Sequence, residues 1–344
     1  MGYDAKREDY QRMAIRYARS LDQGDPVVAT RAFSNFGRRL AQERDSLPQT
    51  DADRAFHLVA DATDLIDYQL PFSTDEQAQE IVARAQALLA EAVSLDSHCY
   101  DAERMAFDPT TSFEGRYRRL AEREPEVLAG CSEARDREGA TQDERTKLAQ
   151  EIAMRPWRRW MASMAELALI CGRNRTCLRL GERLLADDPT DTAGVHLTMA
   201  LAYAKLEDAA GLQSLAARCA GWAPARGADD AWMLLAQVAI AQKAMDLSLA
   251  SKALDRIIRT YPQAVRTILR QTELPDGAFS RVITNPYSED ELIVAVSEAT
   301  VLLDEGADLS GRGPLGLWMA QETARLRPHL AAQTLSQMAG GALQ

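Results

Sequence analysis

The chain has 344 residues, of which 46% are hydrophobic, and it carries a formal net charge of −11. A chain of this length buries roughly three quarters of its unfolded surface on folding, so it can form a sizeable core. The acidic balance argues against nucleic acid as a partner, because nucleic-acid-binding domains present a basic patch or stripe. No apolar stretch approaches the roughly 20 residues of a membrane span, and the N-terminal MGYDAKREDYQRM lacks the apolar run of a signal peptide.

The cysteines are few, odd in number and scattered, with no CxxC pair. Such a pattern indicates reduced thiols in a cytoplasmic protein rather than a disulfide framework. Because the four histidines are also isolated from one another, we expect no metal and no cofactor. The five cysteines are Cys99, Cys131, Cys171, Cys177 and Cys219.

The first part of the chain, residues 1–95, is predicted to be an N-terminal region of four helices: 4–21, 26–43, 53–68 and a helix that Ser73 and Glu76 open as a capping box. Residues 51–104 contain twelve acidic and three basic side chains, a local balance of −9. This acidic block is either a patch for a basic partner or, more commonly, a solvated outer helix face.

A heavily charged segment, residues 122–147, follows and is only weakly amphipathic. Two interpretations are open for it: a pair of long, solvent-exposed helices, or a partly mobile segment.

Prolines then mark a repeat. Pro189, Pro224 and Pro262 each follow two consecutive helical patterns, and they lie 35 and 38 residues apart. A recurring unit of about 34 residues that contains two helices is the period of tetratricopeptide (TPR) repeats. Residues 155–262 are therefore predicted to form at least three stacked antiparallel helical hairpins.

The packing pattern within these hairpins supports the same prediction. Gly172 ends the first helix of the first hairpin, and Gly181 falls on the inward stripe of the second with Cys177, Leu184 and Leu185. Small residues at helix crossings with large ones between them are what close helix packing requires. We predict an all-α, TPR-like α-α superhelix with helical N-terminal and C-terminal extensions, divided into 1–95, a repeat core at 96–270 and a C-terminal helical cap at 271–344.

The order of the motifs resembles a bacterial family of TPR-like helical proteins to which no reaction is assigned, over roughly residues 88–319. The departures from the family pattern are Asp188 for asparagine, Ser97 for proline and Thr192-Ala193 for Asn-Gln. The resemblance implies the repeat fold and transfers no site. It rests on AEAVSLDSHCYDAERM, RPWRRWMASMAELALICGRN, LLADDPTDTAGVHLTMALAYAKLED, the helix pair from Trp232 to Pro262, and NPYSEDELIVAVSEA followed by PLGLWM.

Two small groups of residues allow a chemical function. His57 and Asp61 lie one helical turn apart in the acidic block, a spacing that metal ligands use. His98 and Cys99 are adjacent in a turn, where a nucleophilic thiol would still need a separate orienting group. A charged surface helix and an ordinary helix-start turn are the commoner explanations. The sequence contains no GxSxG, HExxH or glycine-rich phosphate loop.

Candidate binding residues lie at the start of the repeat core and on the first helix of its second hairpin. Arginine and tryptophan dominate interface energies, and arginines surround Trp157 and Trp160 here. The alternatives are tryptophans packed in the core with arginines outside, and a solvated helix face. The predicted partner-binding residues are Arg155, Arg158, Arg159, His196, Tyr203 and Lys205.

These observations favour a non-enzymatic scaffold that binds a protein or an acidic peptide through a concave groove lined by the first helix of each hairpin. Neither nucleic acid nor a membrane is expected as a partner. Two other functions are open: an enzyme, metal-dependent or otherwise, that uses His57 and Asp61, and a structural subunit of a larger complex.

Overall fold

The computed structural model describes residues 4–21, 26–106, 110–141, 143–221, 230–274, 284–307 and 311–341. Across these ranges all regular secondary structure is helical, which confirms the all-α prediction. None of the described helices is long and apolar enough to cross a membrane.

Contacts between Cα atoms divide the chain into two compact units, an N-terminal unit at Tyr3–Ser163 and a C-terminal unit at Met164–Gln344. The boundary falls inside one long helix, α8, which runs over Glu144–Ile170. The division of the sequence at 95/96 and 270/271 stays a prediction.

The N-terminal unit begins with α1 and ends within α8, and a short π-helical segment at Asp64–Gln69 extends α4. Its helices are α1 (Ala5–Leu21), α2 (Pro26–Ser34), α3 (Phe36–Gln42), α4 (Asp51–Thr63), α5 (Asp75–Leu95), α6 (Tyr100–Met105), α7 (Phe113–Arg137) and the first part of α8.

Two apolar clusters hold the early helices together. In one, α4 packs on α5 through small and branched side chains such as Val59, Ala85 and Leu89. In the other, Met13 and Tyr17 of α1 pack on Phe36 of α3, with the Tyr17 and Phe36 rings stacked 5.3 Å apart.

The local signals at helix starts needed one correction. The capping box of α5 is formed by Thr74 and Gln77, one residue later than the predicted Ser73 and Glu76. Ser73 instead donates its hydroxyl to the carbonyl of Leu70, because it ends the preceding short turn. The charged segment 122–147 contains the end of α7 and the start of α8, so it is helical, but Val127 and Cys131 within it are buried rather than solvent-exposed.

The C-terminal unit is a succession of shorter helices. They are α9 (Asn174–Asp187), α10 (Val195–Lys205), α11 (Ala209–Cys219), α12 (Ala231–Lys243), α13 (Leu247–Thr260), α14 (Ala264–Arg270), α15 (Glu289–Glu298), α16 (Thr300–Leu303), α17 (Pro314–Leu326) and α18 (Pro328–Gly341), together with the last part of α8.

Hairpin packing dominates the first half of this unit. Helix α10 packs on α9, α11 and α12, and α12 packs on α13. Pro189 and Pro262 follow the ends of α9 and α13 as predicted, while Pro224 lies outside the described residues. Gly181 is buried with Cys177, Leu184 and Leu185, which confirms the predicted inward stripe of α9.

The helices of the C-terminal segment pack against the same hairpins. Helix α12 contacts α15 and α17, and α10 contacts α16. Both α10 and α12 are apolar nearly all round, and both are buried along most of their length. This is the pattern of helices that are covered on every side.

Candidate functional site

The predicted arginine and tryptophan cluster is an internal ion-pair network of the N-terminal unit. Trp157 and Trp160 are buried, and the Trp157 indole N–H donates to Glu124 Oε1 at 2.8 Å. Arg159 is 8% exposed; its Nε donates to Asp101 at 2.7 Å and its Nη1 to Glu8 at 2.9 Å. The alternative in which the tryptophans pack in the core therefore holds, but one of the arginines is buried with them.

The arginines of this network favour the ionised form of its buried carboxylates. Burial by itself would raise the pKa of Asp101, but Arg159 together with Arg104 and Arg12 lowers that pKa to about 2. Burial also opposes ionisation of Glu8, whose pKa is nevertheless lowered by Arg159, Arg12 and Arg155. Buried charges are tolerated when they are paired in this way.

The two flanking arginines are partly buried and paired as well. Arg155 donates from Nη1 to Gln11 at 2.8 Å and pairs through Nε with Glu151 at 2.7 Å. Arg158 pairs with the same Glu151 at 3.4 Å, and its side chain is 13% exposed. Of the three predicted arginines, none presents a well-exposed guanidinium group to a partner.

His196 is buried in the C-terminal unit, between the carboxylates that precede two neighbouring helices. Its Nδ1 lies 2.5 Å from Asp191, and its Nε2 lies 3.5 Å from Asp230, which caps α12 by accepting from the Met233 N–H. Burial would lower the pKa of His196, but the two aspartates raise it overall. The His196 ring therefore joins two helix starts, and it does not face solvent.

Lys205 and Tyr203 also contact the rest of their own unit. Lys205 Nζ lies 2.9 Å from Glu305 and donates to the carbonyl of Val301 at 3.1 Å. The half-buried Tyr203 ring packs on Gly211, where an added Cβ would overlap it.

The helix face predicted to line a concave groove is thus covered by the chain itself. Besides Lys205, the Trp232 indole N–H donates to Glu298 of α15 at 2.7 Å, and Lys243 pairs with Glu305 at 2.6 Å. A partner that bound this face would first have to displace residues 289–305.

The residues of the enzyme hypotheses belong to structural contacts too. His57 Nδ1 lies 2.9 Å from Asp9, which also accepts two hydrogen bonds from Arg44, and His57 Nε2 is 4.0 Å from Asp61. Across the described part of the chain, no group of three or more histidine, cysteine, aspartate or glutamate side chains is placed to hold a metal ion.

Cys99 does not have the environment of an activated nucleophile. Burial raises the pKa of its thiol to about 12, so the reactive thiolate is disfavoured. The neighbouring His98 side chain is 75% exposed, and the structure places its Nδ1 3.9 Å from Asp96.

A large open groove, absent from the sequence prediction, lies within the N-terminal unit. It has a volume of about 1430 Å³. We call it the α1–α7 groove, because α1 and α7 supply its charged sides and α8 supplies apolar residues between them. The lining is Arg12, Ile15, Arg16, Arg19 and Ser20 of α1; Arg123, Glu126, Ala129, Gly130, Cys131, Glu133, Ala134 and Arg137 of α7 with Glu138; Ala149, Ile152, Ala153 and Pro156 of α8; and residues 48–49, 52–53, 96–98 and 100.

The two kinds of charge in this groove differ in exposure. The side chains of Arg16 and Arg19 are each 41% exposed, whereas their partners Asp53 and Glu138 are 7% and 26% exposed. Arg12 is less exposed than these two, at 21% against 2% for Glu8, and its guanidinium lies 4.0 Å over the Phe56 ring. The α1 side therefore presents guanidinium groups to solvent and keeps the matching carboxylates beneath them.

Small residues line part of the α7 side of the groove. Tyr100 lies over Gly130, where an added Cβ would overlap its hydroxyl. Ala129 and Ala134 flank this glycine along the lining. The arginine series at positions 12, 16 and 19 is visible in the sequence as one face of a helix, but the distant partners that complete the groove are not.

No family model, no curated protein and no solved structure matches this chain.

Proposed function

We propose that the chain is a non-enzymatic helical scaffold that binds a segment of another protein, and that the α1–α7 groove is the binding site. The observation that carries this proposal is the groove itself, a wide depression bordered by exposed charged side chains and small residues.

The size of the groove favours a polypeptide over a small molecule. Pockets for drug-sized ligands are roughly 300–1,000 Å³ and mostly apolar and enclosed, whereas this groove is about 1430 Å³ and borders solvent. The buried members Ile15, Ala149 and Ile152 form one apolar cluster where α1 meets α8. An apolar centre with a charged rim is the usual anatomy of a protein interface.

A TPR-like arrangement of the C-terminal unit is the second part of the proposal. It is supported by the packing of α9 on α10, α10 on α11 and α12, and α12 on α13. Solenoids of this kind commonly serve as binding scaffolds. We place the protein in the cytoplasm, with the support that the five cysteines are free thiols.

A selection experiment tests the proposed site. An mRNA-display library of random 16-residue peptides is selected on the full chain, and the affinities of enriched peptides are measured by fluorescence anisotropy. The variant Ala129→Trp fills the groove from the exposed α7 side and should abolish their binding.

The matched control is Ala87→Trp, which places the same side chain at an exposed alanine of α5 outside the groove. It should leave the affinities unchanged. Equal binding to both variants, or a selection that enriches no peptide, would refute the proposed site.

A further inference from the structure

We infer that the occupant of the α1–α7 groove is an acidic amphipathic helix of a partner protein, whose carboxylates pair with Arg12, Arg16 and Arg19. This inference rests on the proposed function and specifies the chemistry of its partner.

The spacing of the three arginines is helical. They occupy positions i, i+4 and i+7 of α1, so their side chains follow one another on one helix face over about 10 Å. A second helix lying alongside α1 can present carboxylates with the same spacing, and each pair then meets at the same height.

The guanidinium groups keep donors available for such carboxylates. Arg16 pairs with Asp53 through Nε, and Arg19 donates from Nη2 to Glu138 at 2.5 Å. The terminal nitrogens of Arg16, and the Nε and Nη1 of Arg19, donate to no residue in the described ranges. Arg12 is more fully engaged, because both its Nε and its Nη2 donate to Glu8 and Nη1 is the nitrogen left over. Arginine forms its strongest hydrogen bonds with carboxylates, to which it donates from two nitrogens at once.

The α7 side of the groove, which faces α1, carries charges of both signs. The α7 part of the lining carries two basic and two acidic side chains, Arg123, Glu126, Glu133 and Arg137. The side chains available to a ligand are the arginines of α1 on one side and the partly exposed Ala153 and Pro156 of α8 between the two sides, so an acidic face would lie toward α1 and an apolar face toward α8.

The peptides enriched by the selection on the full chain test this inference through their composition and affinity. Enriched sequences should carry aspartate or glutamate at i, i+4 and i+7. The double variant Arg16→Gln/Arg19→Gln should weaken their binding by about tenfold or more, because two charge-assisted contacts are lost. Binding should also weaken with salt over the range in which exposed charges are screened.

The matched control is Arg31→Gln/Arg38→Gln, which removes two exposed arginines of α2 and α3 outside the groove. This control makes the net charge of the chain more negative by the same amount as Arg16→Gln/Arg19→Gln does. It should change the affinity for the peptides by less than about twofold. Circular dichroism melting checks the fold of each variant. If the unpaired Asp53 unfolds the first variant, Arg19→Gln alone replaces it, with an expected loss of about threefold.

The outcomes separate the inference from the proposed function. If the enriched peptides are neutral or basic and do not bind the Ala129→Trp variant, the acidic-helix inference is wrong and the groove is still a binding site. Acidic peptides that bind Arg16→Gln/Arg19→Gln normally would overturn it as well. If the enriched peptides bind the Ala129→Trp variant as well as they bind the unsubstituted chain, both the acidic-helix inference and the proposed site are wrong. A labelled polyuridine RNA is titrated in parallel, and tight binding that the double variant abolishes would assign the arginines to nucleic acid instead.

Discussion

The two units of this chain differ in where they place the basic side chains considered for binding. In the N-terminal unit, buried carboxylates such as Asp101 and Glu8 hold arginines in place, and further arginines along α1 reach solvent above their partners. In the C-terminal unit, the lysines Lys205 and Lys243 turn toward Glu305 of the same unit.

This difference bears directly on where a partner can bind. The regular hairpins of the C-terminal unit have the sequence signature of a binding scaffold, yet their expected binding face is covered by residues 289–305. The N-terminal unit has no repeat signature and contains the open groove. Repeat periodicity predicted helical hairpins in the C-terminal unit, while the groove lies in the N-terminal unit.

The largest effect should come from the buried arginine of the N-terminal unit. Arg159→Ala leaves Asp101 and Glu8 buried with less compensation, and breaking a buried ion pair costs about 3–5 kcal/mol of unfolding free energy. Chemical denaturation measures it. Arg118→Ala, whose side chain is 69% exposed, is the control and should cost under about 1 kcal/mol. Equal losses for the two variants would show that the network is not holding the unit together.

In the C-terminal unit, the contact most sensitive to substitution is the close apolar packing of α9 on α10. A Cβ on Gly181 would overlap Met199, so Gly181→Leu should destabilise the unit by about 1–3 kcal/mol through overpacking. Gly37→Leu is the control, because nothing lies within 4 Å of a Cβ at Gly37. An unchanged denaturation midpoint for Gly181→Leu would mean that α9 and α10 do not approach closely.

The two units should also respond to opposite ends of the pH scale. The raised pKa of His196 contributes stability that is complete below its unfolded pKa of about 6.5 and is lost as the pH rises through the folded pKa. The lowered pKa of Asp101 contributes stability that is present above 3.8 and is lost as the pH falls toward about 2.

Urea denaturation as a function of pH checks both effects. His196→Gln should remove the alkaline loss and leave the acid loss, whereas Asp101→Asn should remove the acid contribution. If His196→Gln has the same alkaline profile as the unsubstituted chain, the Asp191–His196–Asp230 contact does not carry the charge assigned to it.

The smallest effect concerns the cover over the C-terminal hairpins. Lys205→Met removes a partly exposed pair with Glu305 and should cost up to about 1 kcal/mol. Hydrogen exchange should become faster at residues 289–305 and stay unchanged in the N-terminal unit. Unchanged exchange in that segment would show that Lys205 does not secure it.

The sequence predicted local features better than distant ones. The helix pair predicted before Pro262 is present as α12 and α13, and the structure adds Asp230 and Asp246 as the N-caps of the two helices. The buried network was not predicted, because Glu8 and Asp101 are 151 and 58 residues from Arg159 and each of the three resembles an ordinary surface charge. The same limit applies to the groove, which forms where helices distant in sequence meet.

The most direct test of this account is hydrogen exchange of the full chain with and without a peptide from the display selection. We expect slower exchange at residues 12–20 and 126–137, which border the α1–α7 groove, and no change at residues 195–205. Protection at 195–205 and 231–243, with faster exchange at 289–305, would contradict the account. That result would show that the partner displaces the C-terminal helices and binds the hairpin face.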